Sequence, residues 1–203
     1  MRVLVACEFS GVVRDAFRRR GHEAWSCDLL PSESRSGQHY HYQGDIFRYV
    51  DMDWDLMIAH PPCTYLSVSG LHWNKSRPER ARLTDEAITF VRRLLDVPIR
   101  HTVVENPVGC LSTVIRKPEQ IIQPYQFGDD ASKRTCLWLK DVPPLRPTHT
   151  IAPRLVGGKP RWANQTDSGQ NRLGPSEDRW KLRSVTYPGI AAAMAAQWGE
   201  LTP

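Results

Sequence analysis

The chain has 203 residues, enough for one sizeable domain around a proper core. Apolar residues make up 40% and charged residues 24%, which argues against a disordered chain. No stretch approaches the ~18 apolar residues of a membrane span. The net charge of +5 leans toward a polyanionic partner without identifying one. The five cysteines, at positions 7, 27, 63, 110 and 136, are odd in number and form no C-x-x-C pair. That pattern argues against a disulfide framework and a zinc cluster. The opening Met1 to Cys7 reads as a strand and is too short for a signal-peptide core, so the cytosol is the expected location.

Taken in chain order, short apolar strands alternate with helical stretches, the pattern of an α/β domain with a mostly parallel sheet. Val3–Cys7 reads as a buried strand that turns through Glu8-Phe9-Ser10-Gly11 into a helix over Val12–Arg20, closed by Gly21. His22–Cys27 is a second strand ending on Asp28, and Tyr40–Gln43 a third, followed by Gly44-Asp45-Ile46. Asp55–Ala59 is a fourth and runs into His60-Pro61-Pro62-Cys63. Pro78 opens the clearest helix, with Ala87, Ile88, Val91, Leu94 and Leu95 on one face. Thr102–Glu105 and Arg134–Leu139 read as further strands, and Gly189–Trp198 as a closing helix. Between them, from Pro143 to about Trp180, Pro, Gly, Asn and Arg dominate and no hydrophobic period is visible. A structureless loop of that length is uncommon in a compact domain, and is either functional or mobile.

The polar residues of this pattern fall at strand ends, where open α/β sheets bind ligands. Gly11 allows close backbone approach, and the N–H groups of the following helix are expected to be free for a charged cofactor end. Asp28 suits an acid that accepts from ribose hydroxyls, and Asp45 one that accepts from an adenine amino group. Cys63 follows two prolines that fix its direction. As thiolate it is a nucleophile. Glu105, also at a strand end, is expected to be kept protonated by burial. A thiolate and a proton-donating carboxyl are what attack on carbon 6 of a pyrimidine requires. Protonating ring nitrogen 3 assists that attack and makes carbon 5 nucleophilic. His39-Tyr40-His41-Tyr42 reads as strand or loop, and no metal site is expected.

These residues in this order resemble the DNA (cytosine-5) methyltransferases. Asp55–Cys63, continuing through Leu66-Ser67 to Ser69-Gly70, is similar to that family's Pro-Cys nucleophile motif. Val104-Glu105-Asn106 resembles its Glu-Asn motif, Gly44-Asp45-Ile46 its Gly-Asp-Ile segment, and Cys7–Gly11 its first glycine-rich motif. Ser132-Lys133-Arg134-Thr135 resembles the motif whose arginine holds the target ring. The resemblance implies a Rossmann-like S-adenosylmethionine-dependent methyltransferase fold, an α/β architecture with a mostly parallel sheet flanked by helices. Cys63 would be the nucleophile, Glu105 the acid and Arg134 the ring clamp. Phe9, Ser10, Gly11, Asp28, Leu29, Asp45, Ile46 and Pro61 would surround S-adenosylmethionine. Ser67, Arg161, Trp162, Arg172 and Arg179 would meet DNA, as a single strand or with a flipped base.

Three departures stand out. Thr64 replaces the family's usual glutamine, and Ser132 one of two expected arginines. The third is length: residues 141–182 form a basic Pro/Gly-rich insertion in place of a target-recognition domain, so residues 1–203 read as one compact, phage-like methyltransferase domain in a bacterial or infected-host cytosol. RNA or a free nucleotide as substrate, a modified sulfonium cofactor, amino-directed methylation and a non-catalytic nucleic-acid-binding relative remain open alternatives.

Overall fold

The computed structural model describes residues 1–202, with every side chain except those of Ser36 and Ser69. Pro203, the end of the expected domain, and the Ser69 side chain of the serine-glycine loop lie outside the described residues.

Seven strands build the central sheet: β1 (Arg2–Ala6), β2 (Glu23–Asp28), β3 (His41–Gln43), β4 (Leu56–Ala59), β5 (His101–Pro107), β6 (Gln120–Ile122) and β7 (Thr135–Lys140). Their spatial order is β3-β2-β1-β4-β5-β7-β6. Strands β1 to β5 pair in parallel, and β7 alone runs against both its neighbours. This is the expected Rossmann-like, mostly parallel α/β arrangement. The chain leaves β1 for β2 and β3 on one side, then returns across it to β4 and β5. The crevice between the ends of β1 and β4 is therefore the topological switch point, where such sheets bind ligands.

The strands read as continuous apolar runs because both faces are covered. Val3, Val5, Ile58 and Val103 face α1 (Val12–Arg19) and α6 (Pro188–Trp198). Leu4, Met57 and Val104 face Val91 and Leu94 of α3 (Pro78–Leu95). The one-turn helices α2 (Val68–Leu71) and α4 (Leu111–Val114) follow the loops after β4 and β5. Each of these loops carries one half of the site.

The stretch from 143 to 180 is not structureless, which corrects that expectation. It holds an antiparallel hairpin, β8 (Arg154–Val156) and β9 (Lys159–Arg161), and leads into α5 (Arg179–Ser184). Gly157 and Gly158, at φ 55° and 76°, make a two-residue turn of the kind that suits a hairpin. At its base, Trp198 of α6 donates its indole N–H to Pro143 O at 2.9 Å. No helix among the described residues is long and apolar enough to cross a membrane.

Candidate active site

The turn after β4 and the end of β5 are fastened to each other by side chain and backbone. Asn106 is buried and donates from Nδ2 to Pro61 O at 2.8 Å, clamping the Pro61-Pro62-Cys63 turn onto β5. Cys63 O then accepts from Leu66 N at 3.1 Å and Ser67 N at 3.0 Å. Cys110 N donates to Leu66 O at 2.9 Å, and Ser67 bridges Gly109. Only glycine fits at 109, since a Cβ there would run into the Leu66 carbonyl. Two motifs separated by about forty residues in sequence thus form one rigid unit.

Glu105 and His60 lie within this unit. The His60 Nδ1 is 3.0 Å from Glu105 Oε2, with both side chains largely buried. Burial pushes the Glu105 carboxyl up, but the His60 hydrogen bond, the Lys133 charge and the His60 charge outweigh it and hold the group below the ordinary carboxylate range. The expectation that burial keeps Glu105 protonated is therefore corrected: its imidazole partner stabilises the carboxylate. Cys63 reaches solvent. Its thiol is nonetheless pushed up by the crowding of its lower side and by the Glu105 charge, against the opposing charges of Lys133 and Arg183. At rest it is a thiol.

Across the switch point, the turn after β1 places Cys7 in the left-handed region at φ 57° and leads through Glu8, Phe9 and Ser10 to Gly11, the N-cap of α1. The expected free N–H groups of α1 are not free. Glu8 is buried and accepts from Val13 N at 2.6 Å and Arg14 N at 3.2 Å. Burial raises its carboxyl above the ordinary range despite these bonds and the nearby His60 charge. A ligand here therefore meets Glu8 in place of bare amides, and the correction follows from one acidic side chain that sequence spacing did not assign.

The remaining predicted cofactor residues fall around the ends of β1, β2 and β4. Asp28 accepts from Leu30 N at 2.9 Å, and burial raises its carboxyl. Gly44 N donates to Asp28 O at 2.8 Å, which brings Asp45 alongside; Asp45 is exposed and accepts from Phe47 N at 3.1 Å. Leu29 is 74% exposed, an apolar side chain left open beside these two acids. Phe9, Ile46 and Pro61 are buried, while Ser10 accepts a long contact from Val12 N at 3.4 Å. His60 also lines a hollow of about 30 Å³ with Cys7, Glu8, Phe9, Ser10 and residues 184–186, and its Nε2 is buried without a partner among the described residues. A larger hollow, about 570 Å³, lies around Asp96, Glu119 and Lys140, at the other end of the sheet, where β7 ends beside the start of β5.

Of the two cations before β7, Lys133 is the one whose charge bears on both Cys63 and Glu105. Arg134 is exposed, and its charge is felt by Cys136. His60, Glu8 and Lys133 escape the sequence reading, although His60 directly precedes the two prolines and Lys133 adjoins the expected arginine. His41 uses both ring nitrogens, to Ser26 Oγ at 2.8 Å and Leu30 O at 2.9 Å, and no cluster among the described residues could hold a metal ion.

The 141–182 segment docks beside the site. Asn164 and Ser132 exchange hydrogen bonds of 2.9 and 3.0 Å. Trp162 stacks on Tyr125 at 4.3 Å, so one face of its ring is taken. Arg161 and Arg172 join Arg154, Asp130 and Ala163 around a hollow of about 280 Å³. Their guanidinium groups are held mainly by backbone carbonyls: Arg154 to Gln165 O at 2.8 Å, Arg161 to Asp167 O at 3.1 Å, Arg172 to Gln165 O at 2.8 Å. Arg154 also pairs with an acid there, Asp167 at 2.6 Å. Arg179 opens α5, whose Trp180 is half exposed with its ring 6.1 Å from Phe9.

No protein-family profile matches the chain, and no curated protein matches it. Among solved structures, one similar chain is described as a candidate DNA modification methyltransferase encoded within a prophage of E. coli, at 14% identity and a TM-score of 0.45. The match covers 74% of this chain and 52% of that one, so this chain spans about half the length of that protein. At that score the likeness decides nothing, and the fold stands on the strand order and register.

Proposed function

We propose that this protein methylates carbon 5 of cytosine in DNA, with S-adenosylmethionine as methyl donor and Cys63 as covalent nucleophile. One observation carries the reading: Cys63 and Glu105 sit on one clamped unit at the switch point, close enough for the Glu105 charge to bear on the thiol.

The residues at the switch point suit the cofactor. Asp28 and Asp45 offer acceptors side by side, Leu29 and Phe9 offer apolar surface, and the unpartnered His60 Nε2 offers a donor or acceptor to a polar group. When bound, S-adenosylmethionine supplies an electrophilic methyl group. The protein does the rest. Cys63 first gives its thiol proton to solvent water, and the thiolate, which the Lys133 and Arg183 charges favour, then forms a bond to carbon 6 of the ring. Glu105 delivers a proton to ring nitrogen 3, which keeps negative charge off the ring and leaves carbon 5 ready for the methyl. Loss of the carbon 5 proton to solvent water and rupture of the carbon–sulfur bond then restore the aromatic ring and the thiolate.

The basic hollow around Arg154, Arg161 and Arg172 supports a phosphodiester partner. Arg154 is partly neutralised by Asp167, whereas Arg161 and Arg172 are steered by neutral carbonyls, which suits phosphate contacts that position a strand without reading its sequence.

A covalent trap tests the reading. DNA containing 5-fluorocytosine, S-adenosylmethionine and the protein should give an adduct, by intact mass, that carries one methyl and is absent in Cys63→Ala. A methyl group on an exocyclic nitrogen, or label transfer unaffected by Cys63→Ala, would overturn it. Label entering RNA or dCMP in place of DNA would keep the chemistry and replace the substrate.

A further inference from the structure

We infer that His60 is the proton store for Glu105: the two side chains share one proton across the 3.0 Å Nδ1–Oε2 contact, and that proton is the one passed to ring nitrogen 3. The inference rests on the methyl-transfer reading and deepens it. It starts from a difficulty in the site. An acid must hold a proton, yet the surroundings of Glu105 favour its carboxylate. The only titratable donor hydrogen-bonded to that carboxylate among the described residues is the His60 imidazole.

The placement is built rather than incidental. His60 follows β4 directly, its N–H donates to Ala6 O at 2.9 Å, and its side chain is 7% exposed. Asn106 holds the next residue, Pro61, from the strand that also carries Glu105, so the two partners cannot drift apart. The groups facing the imidazole come from three directions. Glu105 approaches from β5, Glu8 and Cys7 from the turn after β1, and Cys63 lies three residues along its own loop. The Lys133 charge also bears on Glu105.

The proton crosses in two steps. The His60 Nδ1–H bond breaks as a Glu105 O–H bond forms, leaving a neutral imidazole and a carboxylic acid. That O–H bond then breaks as the nitrogen 3–hydrogen bond forms while the Cys63 thiolate bonds to carbon 6. The positive charge starts on the imidazole and ends on the ring, where the arriving thiolate neutralises it. When the carbon–sulfur bond breaks, the proton returns by the same two steps. The Cys63 thiol proton and the carbon 5 proton leave to solvent water, and no oxidant or reductant is required.

His60→Asn tests the assignment, because the asparagine amide nitrogen can take the place of Nδ1 and donate to Glu105 without titrating. Two readings are made on the full chain. In the protein alone, the carbon-13 shift of the Glu105 carboxyl is followed with pH; its midpoint should rise in His60→Asn, and an unchanged midpoint overturns the inference. With DNA and S-adenosylmethionine, kcat should fall about 100-fold or more, the range of a missing acid–base group, with KM little changed. The pH profiles of kcat for the native protein and the variant should differ, because asparagine carries no exchangeable proton on a titrating ring. A variant that keeps both kcat and the native pH profile overturns the inference while leaving Cys63 chemistry intact. Methyl transfer that does not depend on Cys63 overturns the underlying reading instead, and this assignment with it.

Discussion

The loops after β4 and β5 differ sharply from residues 141–182 in how they are held. The first pair is fixed by buried interactions: the Asn106 clamp, the Gly109 close approach, and the His60–Glu105 bond, all seated on strands whose cores are closed to solvent. The second is held by exposed arginines on backbone carbonyls, an Asn164–Ser132 pair and one aromatic stack. Chemistry needs atoms fixed to a fraction of an ångström, and burial supplies that. Binding a polyanion needs charge that remains available, and surface hydrogen bonds to neutral acceptors leave it so.

The most severe way to break the contrast is to remove the nucleophile. Cys63→Ala should abolish methyl transfer, measured by radiolabel, while the thermal midpoint stays near that of the native protein, because the side chain reaches solvent. Asn106→Ala comes next. It leaves the buried Pro61 carbonyl without its donor and should cost about 1–3 kcal/mol of stability, read by denaturant unfolding, together with most activity. Both effects belong to the buried half.

Effects in the basic half should be smaller and of another kind. Arg161→Ala or Arg172→Ala should weaken DNA binding uniformly across sequences and lower the slope of log K against log salt by about 1 for each phosphate no longer neutralised. Stability should move by no more than about 0.5 kcal/mol, since both side chains lie at the surface. Fluorescence anisotropy across a salt series decides this. A large drop in stability with little change in binding would reverse the division drawn between the two regions.

The smallest expected effect concerns acid. Glu105 is held below its ordinary range, so its contribution to stability is present above that range and is lost as pH falls through the depressed value. Glu8, held above its range, has the opposite sign: it opposes folding increasingly as pH rises through the ordinary range to the raised value. Glu105→Gln should therefore flatten the decline of the thermal midpoint below the ordinary carboxylate range, whereas Glu8→Gln should relieve a cost at neutral pH. Calorimetry over an acid-to-neutral series separates the two.

The same contrast explains what the sequence makes legible. Strands β1, β4 and β5 are apolar runs ending near Glu8, His60 and Asn106, and residues at such ends are readable because burial leaves few other places for polar side chains. Cys63 and Glu105 therefore come out as a pair. Their protonation does not, because it depends on His60 and Lys133, and neither spacing nor composition reveals a cross-strand contact. Arg134 and Lys133 are neighbours in sequence, but β7 runs against β5, and the start of β7 decides which cation bears on Glu105. The hairpin at Gly157-Gly158 has a readable turn, yet its three-residue strands alternate too briefly to show a period. Asn164 and Asp167 order that region through bonds to residues distant in sequence, and such bonds leave no trace in a local pattern.

Cys63 combines an exposed sulfur with surroundings that keep it protonated. Alkylating agents and peroxide react with thiolates, so surroundings that favour the thiol slow both reactions at this surface cysteine.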